Sequence, residues 1–257
     1  MGKDLFDLTG KVALVTGASS GLGVQFAKAL ARQGANLAII ARRVEKLEAT
    51  KKAIEDEFGV EVLALSCDVL DVAKIKETVA AIKAHYGRID ILVNNAGTAR
   101  VAPAEEQSDE DWKAVIDTNL NAVYYIAREV GAVMKEQNYG KIVNLGSIHS
   151  TVAMRGSALS AYCASKGGVL MLTKDLATEW APYGITVNAI GPAYFPSEMT
   201  GQVIDNEDFL KLVGLICPMG RPGKPGELDG AVIYFASDAS TYTTGQILWI
   251  DGGWTAV

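Results

Sequence analysis

With 257 residues, 49% of them hydrophobic and 21% charged, the chain has apolar material for one large α/β domain or two small ones, and too little charge for disorder. A formal charge of −6 argues against the basic stripe of a nucleic-acid or anionic-membrane surface. A small-molecule partner in solution is the expectation that remains.

The N-terminal stretch MGKDLFDLTGK lacks the apolar h-region of a signal peptide. No uninterrupted apolar run reaches the about 18 residues of a membrane span, so the expected location is the cytoplasm. Cys67, Cys163 and Cys217 are odd in number and have no metal-ligand spacing. They read as small buried apolar residues, not as a disulfide framework or a zinc site.

In chain order, short β-branched runs alternate with longer amphipathic ones. KVALVTG leads to GVQFAKALARQG, NLAIIA to VEKLEATKKAIEDEFG, and EVLALSCD to DVAKIKETVAAIKAHYG, after which comes IDILVNNAG. GKIVNLGS and GITVNAIG flank a helical pattern around residues 160–182, and ILWIDGG supplies a last strand. Strand–helix alternation predicts βαβ units, and near-continuous apolar strands predict helices on both faces. The expected fold is a single-domain, doubly wound Rossmann-type parallel sheet of about seven strands spanning residues 1–257. The segment from Pro192 to about Pro225 holds five of the seven prolines and a short helical pattern at EDFLKLVGLI. It reads as a substrate lid at about 192–225.

In VALVTGASSGLGVQFAKAL a strand runs through Thr16 into Gly17, Ser19, Ser20, Gly21, Leu22 and Gly23 and opens a helix. Glycines permit a tight turn and a close backbone approach, and the helix N-terminus offers free N–H groups, so this is a pyrophosphate cradle. Near the end of the second strand, where a carboxylate would hold the ribose 2′-hydroxyl of NAD, the chain has Ala41-Arg42-Arg43. Two cations at a helix start oppose the helix dipole unless a phosphate lies between them, which favours NADP(H) over NAD(H).

Taken together, TGASSGLG at 16–23, NNAG at 94–97, Asn119 in DTNLNA, Ser147 in NLGS and Tyr162-Cys-Ala-Ser-Lys166 resemble the short-chain dehydrogenase/reductase superfamily. The motifs stand in that family's order over nearly the whole chain. The resemblance implies hydride transfer between a nicotinamide and a ketone or secondary alcohol, with Ser147, Tyr162, Lys166 and Asn119 as catalytic residues. Tyr162 would exchange the proton, Lys166 would favour its phenolate and bond the nicotinamide ribose, and Ser147 would hold the substrate oxygen. Asn119 would order a water that relays protons to Lys166. The same resemblance puts Asp68 and Val69 at the adenine, Asn95, Ala96 and Gly97 along the adenosine ribose, and Pro192, Phe195 and Ser197 by the carboxamide. In GPAYF, Ala193 replaces the family's glycine.

His149, Met154, Tyr194 and Met199 are the substrate-pocket candidates. LATEWAPYGITVNAIGPAYF and the terminal DGGWTAV resemble the sugar-acid branch, the gluconate 5-dehydrogenases and ketodeoxygluconate-type oxidoreductases. The 3-oxoacyl-carrier-protein reductases and hydroxysteroid dehydrogenases share most of these motifs and remain alternatives. A catalytically silent dinucleotide-binding regulator is a further one, because fold does not fix function. The resemblance also implies a homo-oligomer, dimer or tetramer, built on two long helices and the apolar C-terminal ILWIDGGWTAV.

Overall fold

The computed structural model of the chain describes residues 4–154, 156–201 and 203–256, leaving Gln202 of the 192–225 segment and both extreme termini outside them. Strand β1 (Val12–Thr16) is followed by α1 (Gly21–Arg32), β2 (Asn36–Ala41), α2 (Val44–Phe58), β3 (Val62–Ser66), α3 (Val72–Tyr86) and β4 (Ile91–Asn94). Then come α4 (Asp109–Ile116), α5 (Ala122–Gln137), β5 (Gly140–Leu145), α6 (Ser160–Trp180), β6 (Ile185–Pro192), α7 (Glu207–Ile216), α8 (Asp229–Ala236) and β7 (Ile247–Ile250).

All seven strands pair in parallel, in the order β3-β2-β1-β4-β5-β6-β7. Alternate residues of each strand face opposite layers, so the apolar runs feed two cores. Ala13, Val15, Leu37, Ile39 and Val93 pack under α1, α2 and α8, against Phe26, Leu30, Ile54, Val232 and Phe235. Leu14, Ala38, Ile40, Leu92 and Ile142 pack under α3, α5 and α6, against Ile75, Ile82, Val130, Met134 and Trp180. Every residue of β1 and β6 is buried, as a sheet covered on both faces requires.

The chain winds outward from β1 through β2 to β3 and, from β4, outward the other way. Helices that leave the carboxyl ends of β1 and β4 therefore diverge and open a crevice between them, the topological switch point where such sheets bind ligands.

Two regions lie outside the predicted elements. Residues 109–137 form α4 and α5 around a π-helical turn, Asp117–Asn121, and residues 229–236 form α8. Gly131, inside α5, weakens any helical pattern by about 1 kcal/mol relative to Ala. It is there because the Trp180 indole of α6 packs onto it: a Cβ at 131 would lie 2.7 Å from that ring. The predicted helix 160–182 ends at Trp180, where Ala181–Tyr183 tighten into a 3-10 turn. Strand β6 runs on through Gly191 and Pro192 to pair with β7. Cys67 and Cys217 are buried as expected, but Cys163 is partly exposed; all three are free thiols.

Candidate active site

The cleft at the switch point is a cavity of 560 Å3 lined by the β1–α1 turn, the ends of β2 to β6 and the segment after Pro192. Gly17 and Gly21 take positive φ, +66° and +55°, which only glycine adopts without strain. A Cβ on Gly23 would stand 2.3 Å from the Gly17 carbonyl oxygen, so Gly23 closes the turn and does not line the cleft. Ser20 is the N-cap of α1, yet its hydroxyl makes no capping bond, and the first-turn amides have no intrahelical partner. This geometry fits an anion.

Asn95 serves the turn more than the cleft. Its Nδ2 donates to the Thr16 and Gly17 carbonyls at 2.9 and 3.4 Å, while the Thr16 hydroxyl accepts from the amides of Asn95 and Ala96 at 3.0 and 2.9 Å. These bonds staple the end of β4 to the phosphate turn. Ala96, Gly97, Asp68 and Val69 all line the cleft, and the Asp68 carboxylate accepts from the Leu70 amide at 3.0 Å.

At the end of β2, Arg42 is exposed on the cleft wall while Arg43 is fully engaged. The Arg43 guanidinium donates to Ser19 Oγ and Ser20 Oγ, at 3.1 and 2.7 Å, and to both oxygens of Glu198, at 3.1 and 2.8 Å. Lys46 Nζ reaches Glu198 Oε1 at 2.8 Å and Ser20 Oγ reaches Oε2 at 3.0 Å. These partners, Arg43 first, hold the Glu198 carboxyl well below the usual carboxylate range, at about 2. A carboxylate of the chain itself thus occupies the corner. No carboxylate stands at the end of β2 in the sequence; the fold delivers one from 155 residues downstream.

At the other end of the cleft, Ser147 follows β5 and is buried; its Oγ accepts from the His149 amide at 3.2 Å and bonds the Tyr162 phenol. One turn along α6 from Tyr162, the buried Lys166 donates to the Leu145 carbonyl at 2.6 Å, its Nζ 5.7 Å from the centre of the Tyr162 ring. Burial pushes the Tyr162 phenol up to about 12, against the Ser147 hydrogen bond, and pushes Lys166 down to about 8. The phenol is therefore protonated at neutral pH, ready to donate.

Asn119 is fully buried in the π-helical turn. Its Oδ1 accepts from the Thr98 amide at 2.8 Å, and its Nδ2 donates to the Thr98 carbonyl at 2.9 Å and to Ser165 Oγ at 3.1 Å. Ser165 Oγ in turn donates to the Tyr162 carbonyl at 2.8 Å. The side chain thus ties the β4 loop to the first turn of α6. Beneath it, Asn94 Nδ2 donates to Asn144 Oδ1 and Asn144 Nδ2 to Thr173 Oγ1, both at 2.9 Å.

Of the substrate-pocket candidates, Met199 lines the cleft. Met154 instead packs against the apolar cluster of Ile148, Val213, Cys217 and Trp254. His149 is buried, edge-on to Tyr162 at 6.0 Å and to Tyr194 at 6.4 Å, with Nδ1 3.1 Å from the Val152 carbonyl and Nε2 3.4 Å from the Tyr194 hydroxyl. A carbonyl accepts only, so Nδ1 carries the hydrogen and Nε2 accepts; burial lowers the imidazole's affinity for a second proton. Tyr194 faces a second cavity, behind the segment, with Phe195 on the wall between the two.

The Phe195 carbonyl accepts from the Thr200 hydroxyl at 2.5 Å, and Ser197 sits against the α1 N-terminus, 3.3 Å from where a Gly21 Cβ would be. Ala193 replaces glycine without positive φ. The residues that sequence reasoning missed are Glu198, Lys46 and Arg100, which reaches the cleft between Thr98 and Asp111. Only the charge of Glu198 beside Ser197 was visible, and nothing local connected it to Arg43. Among the described residues no cluster of side chains suits a metal ion, and no helix is long and apolar enough to cross a membrane.

Residues 17–255 match the family model described as Enoyl-(Acyl carrier protein) reductase, the adh_short_C2 group. The chain is 42% identical over 252 residues to a gluconate 5-dehydrogenase of Gluconobacter oxydans, covering 98% of this chain and 97% of the relative. It is also 42% identical over 250 residues to a D-threitol dehydrogenase of Mycolicibacterium smegmatis, covering 97% and 95%. A crystal structure of a gluconate 5-dehydrogenase from Burkholderia cenocepacia, in complex with NADP and tartrate, superposes with a TM-score of 0.95 at 38% identity, covering 99% of this chain and 98% of that one. With the glycine turn, the serine–tyrosine–lysine end and these relatives in view, the chain belongs to the short-chain dehydrogenase/reductase family, oxidoreductases acting on CH–OH donors.

Proposed function

We propose that this enzyme interconverts a ketone and a secondary alcohol on a small polar substrate, a keto-sugar acid or polyol, with NADP(H) preferred over NAD(H). The observation that carries the reading is one continuous cleft with a cation-lined anion corner at one end and Ser147, Tyr162 and Lys166 at the other. When bound, the nicotinamide supplies or accepts the hydride at the substrate carbon.

The chain's own residues do the rest. The β1–α1 turn takes the pyrophosphate, and Arg42, Arg43 and Lys46 take the 2′-phosphate. The Ser147 hydroxyl fixes the carbonyl oxygen beside the Tyr162 phenol, which gives its proton to that oxygen in reduction and takes it back in oxidation. Lys166 compensates the phenolate formed on donation, and Asn119 keeps the Tyr162 turn in register through Ser165. Residues 192–225 act as the lid.

Relatives that act on gluconate and threitol support the polar substrate class. A homo-oligomer is supported by Tyr124 on α5, Met171 on α6 and Leu248 on β7, all exposed in the single chain. A reduction screen over keto-gluconates, ketoses, 3-oxoacyl thioesters and oxosteroids with both cofactors tests the reading. Turnover of a keto-sugar acid or ketose with NADPH ahead of NADH is expected; turnover confined to thioesters or steroids overturns it.

A further inference from the structure

An arginine fork at the end of β2 suits a phosphate on the adenosine ribose because its N–H groups and the neighbouring hydroxyls converge on one point. Here that point already holds the Glu198 carboxylate, gripped by Arg43 through both oxygens, by Lys46 on Oε1 and by Ser20 on Oε2. Glu198 belongs to the lid, next to Ser197, which rests on the N-terminus of α1. The contact therefore does two things at once: it fastens the lid across the phosphate turn, and it occupies the donors that would read the 2′-phosphate.

A ribose phosphate brings about −1.5 to −2 charges and three acceptor oxygens. It cannot share the fork with a carboxylate, since the two anions would compete for the same N–H groups and repel each other. A dinucleotide without the phosphate makes no such demand and leaves the contact in place.

We propose that Glu198 is a cofactor-selectivity residue, an internal anion that competes with the 2′-phosphate for Arg43 and Lys46 and couples its arrival to release of the lid. This rests on the reading that the Arg42–Arg43 corner takes the phosphate. Selectivity between the two cofactors is then set jointly by Arg43, which attracts the phosphate, and by Glu198, which opposes it from the lid. The contact is exposed, with Arg43 and Glu198 side chains 45% and 51% accessible, so a phosphate can displace it.

Calorimetric binding of adenosine 2′,5′-bisphosphate and adenosine 5′-monophosphate, which differ only in the 2′-phosphate, tests this without turnover. Wild type, Glu198→Gln and Arg43→Ala are compared, with limited proteolysis of the lid as a second readout. Glu198→Gln is expected to bind the bisphosphate about three- to tenfold more tightly than wild type, with the monophosphate unchanged. In wild type the bisphosphate, and not the monophosphate, is expected to speed cleavage after the exposed Met199. Unchanged or weaker bisphosphate binding by Glu198→Gln, while Arg43→Ala loses the discrimination between the two ligands, overturns the competition and spares the phosphate reading. If wild type and Arg43→Ala both bind the two ligands alike, the phosphate reading falls, and the proposal with it.

Discussion

The two ends of the cleft are held by different forces. At the Ser147–Tyr162–Lys166 end, Asn94, Asn144 and Thr173 join β4, β5 and α6 through buried, uncharged hydrogen bonds, and Asn119 locks the Thr98 loop to the first turn of α6. At the other end, Arg43, Lys46 and Glu198 meet in the open, each side chain roughly half accessible. Buried bonds in a low-dielectric interior are costly to break and rigid, whereas exposed ion pairs contribute little and exchange easily with solvent ions. On the proposed function, the enzyme is stiff where atoms are placed for proton transfer and labile where the ligand enters.

The sharpest way to break this contrast is at the stiff end. Tyr162→Phe removes the phenol hydroxyl that bonds Ser147 and, on the proposed mechanism, is expected to lower kcat by about 10²- to 10⁴-fold, with dinucleotide binding unchanged. Steady-state kinetics with fluorescence titration of the cofactor would show it, and undiminished turnover would remove Tyr162 from the mechanism.

A large effect is also expected from pH. With the phenol pushed up to about 12, Tyr162 is in its donor form throughout the neutral range. Alcohol oxidation needs the deprotonated form and climbs with pH between about 7 and 9, while ketone reduction stays flat or falls. Profiles of kcat/KM in both directions check this, and a flat oxidation profile contradicts it.

Asn144→Ala should come next. It strips partners from Asn94 and Thr173 together and is expected to lower unfolding stability by about 1–3 kcal/mol in urea titrations. The smallest effect belongs to the labile end. Raising salt from low to about 0.5 M should quicken proteolysis of the lid around Glu198 while moving the thermal midpoint by under about 2 °C. A midpoint that collapses with salt would mean that the exposed pairs hold the fold together.

The sheet was legible because each strand is apolar on both faces, a pattern that depends only on local residue types and the two covering layers. The glycine turn was legible for a related reason: Gly17 and Gly21 need positive φ and Gly23 needs the missing Cβ, all within seven residues. The less legible parts depend on distant partners. Helix α5 carries Gly131 for the sake of Trp180, which lies 49 positions away by the numbering. Asn119 stands in a π-helical turn that no spacing rule announces, and its amide partners belong to Thr98 and Ser165. Arg43 could be read as a phosphate ligand from its place after β2, but its meeting with Glu198 depends on how the lid lies. Met154 and His149 read as pocket residues from their nearness to Ser147, but the 3-10 turn at Ile148–Ser150 buries His149, and Met154 packs partly buried against the Ile148 cluster.

That inward turn has a practical consequence. The chain has two histidines. His85 lies at the surface beside Glu61, and His149 is wedged between the ring of Tyr162 and that of Tyr194 in the segment after Pro192. A nitrogen-labelled imidazole spectrum should therefore show just two spin systems, one from the surface ring and one pinned in a single tautomer by Val152. The pinned signal will shift whenever Tyr194 moves, which gives the molecule a native reporter of the position of the segment after Pro192 that needs no attached dye.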